Sequence, residues 1–356
     1  MGQDVRATWP APSPGGITPA LSNGENASVP TDDVARPPRA TGSATGHRLV
    51  FHGRGWSLFG IHIVNVFLTL VTLTIFYFWA KVRGRRYVFG QTEFEGDRFT
   101  FHGRGTELLL GFIKAMVLFG IPLTALNYVP QILDASTPVT AATSLAAYAL
   151  VLVLIPVARA GARRYRLSRT SWRGIHFSFR GRTAEFVRVF VVGSLLAVVT
   201  LGFYYPVFAT RNHAFMMRHS YFGTAKFDFD GHGRDLLVDF LYAVLLTLPT
   251  FGFAWFWFAA AKRRYFWERT SFLGARFRST VTGGRLLRLK LGNLLVIILT
   301  LGLGWPFAMI RTARFTCRHV MLEGALDLGA IRQHAEGATA TGEGLLSLFE
   351  ADLDLG

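Results

Sequence analysis

Phe-His-Gly-Arg-Gly stands at 51–55 and again at 101–105, and Gly-His-Gly-Arg stands at 231–234. Each directly precedes an apolar run, so backbone N–H groups and an arginine (Arg54, Arg104 or Arg234) converge where a helix should start. Such a convergence suits an anion, a lipid phosphate in particular. It suits equally a plain turn whose arginine snorkels toward headgroups. A second set places arginine before an aromatic residue just beyond an apolar run: Arg86-Tyr87, Arg164-Tyr165, Arg264-Tyr265 and Arg314-Phe315. These read as inside-facing positive anchors with an aromatic belt, or as guanidinium forks for phosphate oxygens.

Other chemistry finds little support. There is no G-x-G-x-x-G, P-loop or G-x-S-x-G, and carboxylates are sparse between the apolar runs. His213 and His219 bracket Met216 and Met217 without an H-E-x-x-H or a cysteine pair, so no metal is expected. Cys317, the single cysteine, rules out a disulfide scaffold. Lys114, Arg188 and Asp239 lie near the ends of apolar runs and no carboxylate lies at mid-depth, which argues against a proton-coupled pump. His62, Asn65, Asn127 and Asn293 read as partners for interhelical hydrogen bonds. The chain reads as a non-enzyme without a cofactor.

The elements that carry these residues are set by composition. Of 356 residues, 51% are hydrophobic and 14% aromatic, including 32 Phe, while only 17% are charged and mean hydropathy is +0.32. Soluble domains carry about 25% charge, so the expectation is an integral membrane protein. Six apolar stretches centre near 58–79, 109–130, 141–158, 188–209, 238–260 and 291–310. Their unbroken apolar character favours helices over barrel strands. The formal net charge of +16 gathers just outside these stretches, where it meets lipid headgroups and not nucleic acid. Residues 1–46 hold seven of the 14 prolines and read as a disordered tail; residues 331–356 read as an acidic tail with one apolar patch, Leu345–Phe349.

A degenerate repeat of about fifty residues runs between the tails. The Arg-aromatic pair precedes a glycine by ten residues at Gly96, Gly174, Gly274 and Gly324, and a fifth copy ends at Gly223 with His213 in the arginine position. Successive glycines are 78, 49, 51 and 50 residues apart, the long interval holding one extra span. After the glycine, Phe alternates at 99 and 101, 177 and 179, and 227 and 229. Each unit thus reads as span, basic extension, glycine turn, short interfacial strand, glycine turn and next span.

The Asn65 start, the exit Tyr77-Phe78-Trp79-Ala80-Lys81, Arg86-Tyr87 and the Gly-x-x-Phe-x-Phe-x-Gly element resemble the YjgN-like family over about residues 47–325. The resemblance implies a bacterial inner-membrane protein of unassigned function and brings no catalytic residues. The fold class expected is an all-α polytopic membrane protein of about six transmembrane helices in repeats, with short interfacial strands.

One span per unit would send successive connectors to opposite sides. Connectors 80–107, 159–185 and 261–289 carry 6, 8 and 8 Lys and Arg, whereas 131–140, 210–235 and 311–330 carry 0, 4 and 3. The heavier set belongs in the cytoplasm, which puts both termini in the periplasm. The expected function is binding of anionic lipid headgroups or a membrane partner, either another membrane protein or a second copy, through the basic-aromatic connectors. The alternative is a small-solute transporter or channel built from opposed repeats.

Overall fold

The computed structural model describes residues 46–328 and Ile331. Both expected tails, including the Leu345–Phe349 patch, lie outside the described residues apart from Gly46 and Ile331.

The chain is mostly helical, and only two of the six expected spans are continuous helices. The first is α3 (Gly105–Ala115), a π-helical turn at Met116–Gly120 and α4 (Ile121–Ile132), which together run for 28 residues. The second is α5 (Thr137–Ser168), with 32 residues. Both are apolar and long enough to cross a membrane. At 1.5 Å per residue they reach about 40–50 Å.

Each of the other four is broken in two. The pairs are α1 (Gly55–Val71) with α2 (Tyr77–Gly90), α6 (Thr183–Val199) with α7 (Tyr205–Arg218), α8 (Leu237–Leu245) with α9 (Ala254–Glu268), and α10 (Gly283–Leu299) with α11 (Trp305–His319). The pairing order runs antiparallel across the break: Phe186 and Phe215 stack at 5.1 Å, and Phe190, nearer the break, meets Phe208 at 5.2 Å. Each pair is therefore an antiparallel helical hairpin that returns to the side it came from.

The reversal has a repeated chemistry. After Val199, the N–H of Leu201 bonds Val198 O at 3.0 Å and that of Gly202 bonds Ala197 O at 2.7 Å, a Schellman motif. Leu201 and Gly202 both take positive φ, 50° and 91°. The hydroxyl of Thr200 then accepts the N–H of Tyr204 at 3.0 Å. Thr72, Thr250 and Thr300 accept from Phe76, Ala254 and Gly304 in the same way, at 2.9, 3.1 and 2.7 Å. Every N–H from Thr200 to Tyr205 is thereby satisfied, which is what irregular backbone in hydrocarbon requires. The residues at the four tips, Leu73, Leu201, Phe251 and Leu301, are 84%, 89%, 94% and 93% exposed. Large side chains this bare, at the ends of apolar hairpins, match a lipid environment and not water.

The connectors are not separate interfacial strands. They form β-hairpins: β3 (Thr92–Phe94) with β4 (Asp97–Arg98), β6 (Thr170–Trp172) with β7 (Ile175–Phe179), β8 (Ser220–Phe222) with β9 (Ala225–Phe229), and β10 (Thr270–Phe272) with β11 (Ala275–Ser279). The last strand, β12 (Val320–Glu323), pairs with β11 on one side and with the first, β1 (Gly46–Arg48), on the other. One residue beyond β1, β2 (Val50–Phe51) pairs with β3; one residue beyond β4, β5 (Thr100–Phe101) pairs with β6. The antiparallel ladder thus returns to its start, and closure removes the open edges. The all-α expectation is corrected by this large sheet.

Two further expectations fall with it. Connectors 80–107, 159–185, 210–235, 261–289 and 311–330 all contribute strands to one ring, so they cannot alternate between sides. Gly46 and Glu323 pair within that same ring, so the parity that put the termini opposite the basic connectors is lost. Nor are the copies opposed, because every hairpin leaves the ring and comes back to it.

Candidate functional site

The strand positions correct the repeat register. Trp172, Phe222 and Phe272 end β6, β8 and β10 at intervals of fifty residues, so His213 corresponds to Arg163 and Arg263, not to Arg164. In three hairpins the two central residues both have positive φ, as a type I′ turn needs: Glu95-Gly96, Arg173-Gly174 and Leu273-Gly274. Gly223, at φ 56°, stands one place earlier, at the first central position. Gly324, at φ 134°, follows β12 where a Cβ would lie 2.9 Å from Ala275 Cα.

The Arg-Tyr pair acts as a two-way clamp. The guanidinium of Arg86 donates to Gly103 O at 3.2 Å, that of Arg164 to Gly181 O at 2.8 Å, and that of Arg314 to Gly53 O at 3.0 Å. Each bond runs forward to the start of the next unit. The tyrosine reaches back to the start of its own unit. Tyr87 Oη accepts Arg54 N–H and donates to Arg54 O, both at 3.0 Å; Tyr265 Oη likewise accepts His232 N–H at 2.6 Å, with its own proton directed to the Asp235 carboxylate. Tyr165 Oη donates to Glu107 at 3.0 Å, where Arg169 also forms an ion pair at 2.6 Å. Arg264 is exposed at the matching place on α9.

Both glycines of Phe-His-Gly-Arg-Gly have packing duties. The first lies against the ring of the preceding Phe: a Cβ on Gly103 would meet Phe101 at 2.5 Å, and one on Gly53 would meet Phe51 at 2.4 Å. The second admits the returning helix of the preceding unit, with Gly55 against Phe307 at 2.6 Å, Gly105 against Trp79 at 2.5 Å and Gly283 against Trp257 at 2.6 Å. The intervening arginines, Arg54 and Arg104, are N-caps with exposed side chains. Arg182 fills the same position before α6 and is exposed too. It was legible only once the repeat was aligned on strands. His232 takes that place before α8, and Arg234 lies exposed in the 3₁₀ turn Gly233–Leu236 that follows. The arginines thus form a collar where helices leave the strand ring.

The alternating phenylalanines divide their labour. Phe101 and Phe179 are buried among the helix ends, in clusters with Tyr165 and with Phe186 and Phe215. Phe99, Phe177, Phe227 and Phe277 face the other way along the strand axis and meet Phe94, Trp172, Phe222 and Phe272 inside the ring. There they line a partly open cavity of about 260 Å³. His47, at its rim, is tied to Glu95 at 2.7 Å.

The polar residues expected between helices lie as follows. Asn293 donates to Thr312 Oγ1 at 3.0 Å across α10 and α11, and Arg83 donates to Asn65 at 3.3 Å across α1 and α2. Asn127 bonds within its own helix, to Leu123 O. His213 stacks on Phe266 at 4.2 Å and His219 bonds Phe215 O at 2.8 Å, so the two histidines are engaged separately.

Residues 46–252 and 234–348 match the model of a family described as bacterial protein of unknown function, DUF898. Among curated proteins, the inner membrane protein YjgN of Salmonella typhimurium strain LT2 is 31% identical over 134 residues, 38% of this chain and 31% of that protein. Its namesake in Escherichia coli strain K12 is 30% identical over 157 residues, 44% of this chain and 37% of that one. The match thus spans about a third of each relative's length. No solved structure matches the chain.

Proposed function

The chain belongs to the DUF898 family of bacterial proteins of unknown function, and from that premise we propose that it is an inner-membrane protein whose arginine collar holds anionic lipid headgroups. The curated relatives bear the name inner membrane protein, which supports the location. The observation that carries the reading is a spacing. Exposed Arg54, Arg182 and Arg234 lie at the mouths of hairpins and exposed Arg104 at the start of α3, while bare apolar side chains lie at four hairpin tips. An arm of 17 residues, such as α1, reaches about 25 Å, against a hydrocarbon core of about 30 Å. With the tips in hydrocarbon, the collar meets the headgroups of the leaflet the hairpins entered. The concentration of arginine on that side supports a cytoplasmic strand ring, where anionic lipids attract each basic residue by about 1 kcal/mol.

The collar arginines suit this role better than the clamp arginines, whose guanidinium groups are committed to Gly53, Gly103 and Gly181. The test is lipid retention by the full chain in nanodiscs of phosphatidylglycerol and phosphatidylcholine, read by native mass spectrometry. The expected result is preferential, salt-sensitive retention of phosphatidylglycerol that is lost when Arg54, Arg104, Arg182 and Arg234 are together changed to Gln. Unchanged retention in that variant overturns the proposal. Solute uptake into vesicles dependent on the protein would favour the transporter reading instead.

A further inference from the structure

The cavity inside the strand ring plays no part in holding headgroups, and its construction is unusually regular. Four β-hairpins each send two aromatic rings inward: Phe94 and Phe99, Trp172 and Phe177, Phe222 and Phe227, Phe272 and Phe277. The fifth pairing, between β12 and the chain's first strands, has Leu322 and Leu49 at the same two positions. Met217 and Trp267, from the ends of α7 and α9, contribute to the lining, as does Leu328. The cavity measures about 260 Å³ and is partly open. An apolar cavity of about 150 Å³ already binds benzene, and a water needs several polar partners to be held. The lining offers almost none, since His47 is engaged by Glu95.

We infer that the strand ring is a binding chamber for an uncharged hydrocarbon group of one or two rings, or the equivalent length of chain, received beside Leu49 and Leu322. Aromatic faces on four sides favour a flat or unsaturated group, and Leu49 and Leu322 stand where a fifth pair of rings would be, while Ile331 packs against Trp172, Phe222 and Phe272. A free apolar molecule and the end of a lipid chain share this chemistry.

The chamber's repeat gives a clean variant. Leu49→Phe with Leu322→Phe gives the fifth position the side chains that other copies already carry, so it fills the space with residues the ring accommodates. The full chain in nanodiscs is titrated with naphthalene in one arm. In the other it is reconstituted with phospholipids brominated at the acyl-chain end, and quenching of Trp172 is read by difference from Trp172→Phe. The expected result is thermal stabilisation by naphthalene, or Trp172 quenching by the brominated chain, that drops at least tenfold in the Leu49→Phe, Leu322→Phe variant. The arm that responds identifies the source. If that variant misfolds, Leu322→Trp and the enlarging Phe227→Leu take its place, with opposite effects expected. An equal response in native and filled chains marks partition onto the outer helices and overturns the inference; so does no response in either arm.

Discussion

Arg314 donates a hydrogen bond to the carbonyl of Gly53 at 3.0 Å, joining residues 261 apart in sequence. The same bond links Arg86 to Gly103 and Arg164 to Gly181 within neighbouring units. The last unit therefore treats the first as its successor, and β1 pairing with β12 seals the same seam. A linear repeat would leave an unsatisfied unit at each end; a ring leaves none.

Removing the seam bond should loosen the whole ring. Hydrogen bonds to charged groups contribute about 1.5–3 kcal/mol, and exposure of Arg314 reduces that to about 1 kcal/mol. Arg314→Met is expected to lower the melting temperature in detergent by a few degrees and to speed proteolysis near β1, with Arg314→Lys intermediate. An unchanged melt would remove Arg314 from the closure.

The hairpin tips depend on one hydroxyl each. Thr300→Val leaves the Gly304 N–H without its acceptor, in a place where water cannot replace it. The expected cost is about 1–3 kcal/mol, read as a lower melting temperature, while Thr300→Ser should be close to neutral. Equal behaviour of the two variants would mean the tip is hydrated.

A charge at a tip tests its surroundings directly. Leu301→Asp should cost about 2.5–3.5 kcal/mol if the tip lies in hydrocarbon, and the variant should accumulate less in membranes than Leu301→Ala. Equal membrane levels of the two would place the tip in water.

Among the described residues of the strand ring, His176 is sensitive to pH. Burial holds the His176 imidazole below its ordinary 6.5, and the nearby positive charge of His102 and Arg169 acts the same way. The unfolded chain therefore takes up this proton first, and the native state loses stability as pH falls below about 6.5. His176→Gln should flatten the melting temperature between pH 7 and pH 5 relative to the native chain. A slope that survives the substitution would assign it to other groups.

The repeat was legible because its spacing is strict and its Phe-x-Phe elements alternate. The roles of those rings were not, since period alone cannot say that Phe99 faces a chamber and Phe101 a helix layer. The broken spans were hidden by averaging: Thr200-Leu201-Gly202 is too short and too apolar to dent a hydropathy window. Its signal was positional, in threonines at 200, 250 and 300. Missing it turned hairpins into spans, and an argument from parity then alternated connectors that share one sheet. Gly223 misled the register because its hairpin sets glycine one place earlier in the turn than the others do.

The most direct test of a one-sided ring is the reach of a membrane-impermeant maleimide in intact cells. Single cysteines at Glu95, Arg173, Thr224 and Leu273, all exposed at hairpin turns, are placed in a Cys317→Ser chain, with Asp134→Cys marking the far end of α4 and α5. The account predicts that all four turns are protected until the cells are permeabilised, while position 134 labels at once. Labelling of Thr224→Cys in intact cells, with Arg173→Cys still protected, would show that the connectors alternate and would contradict it.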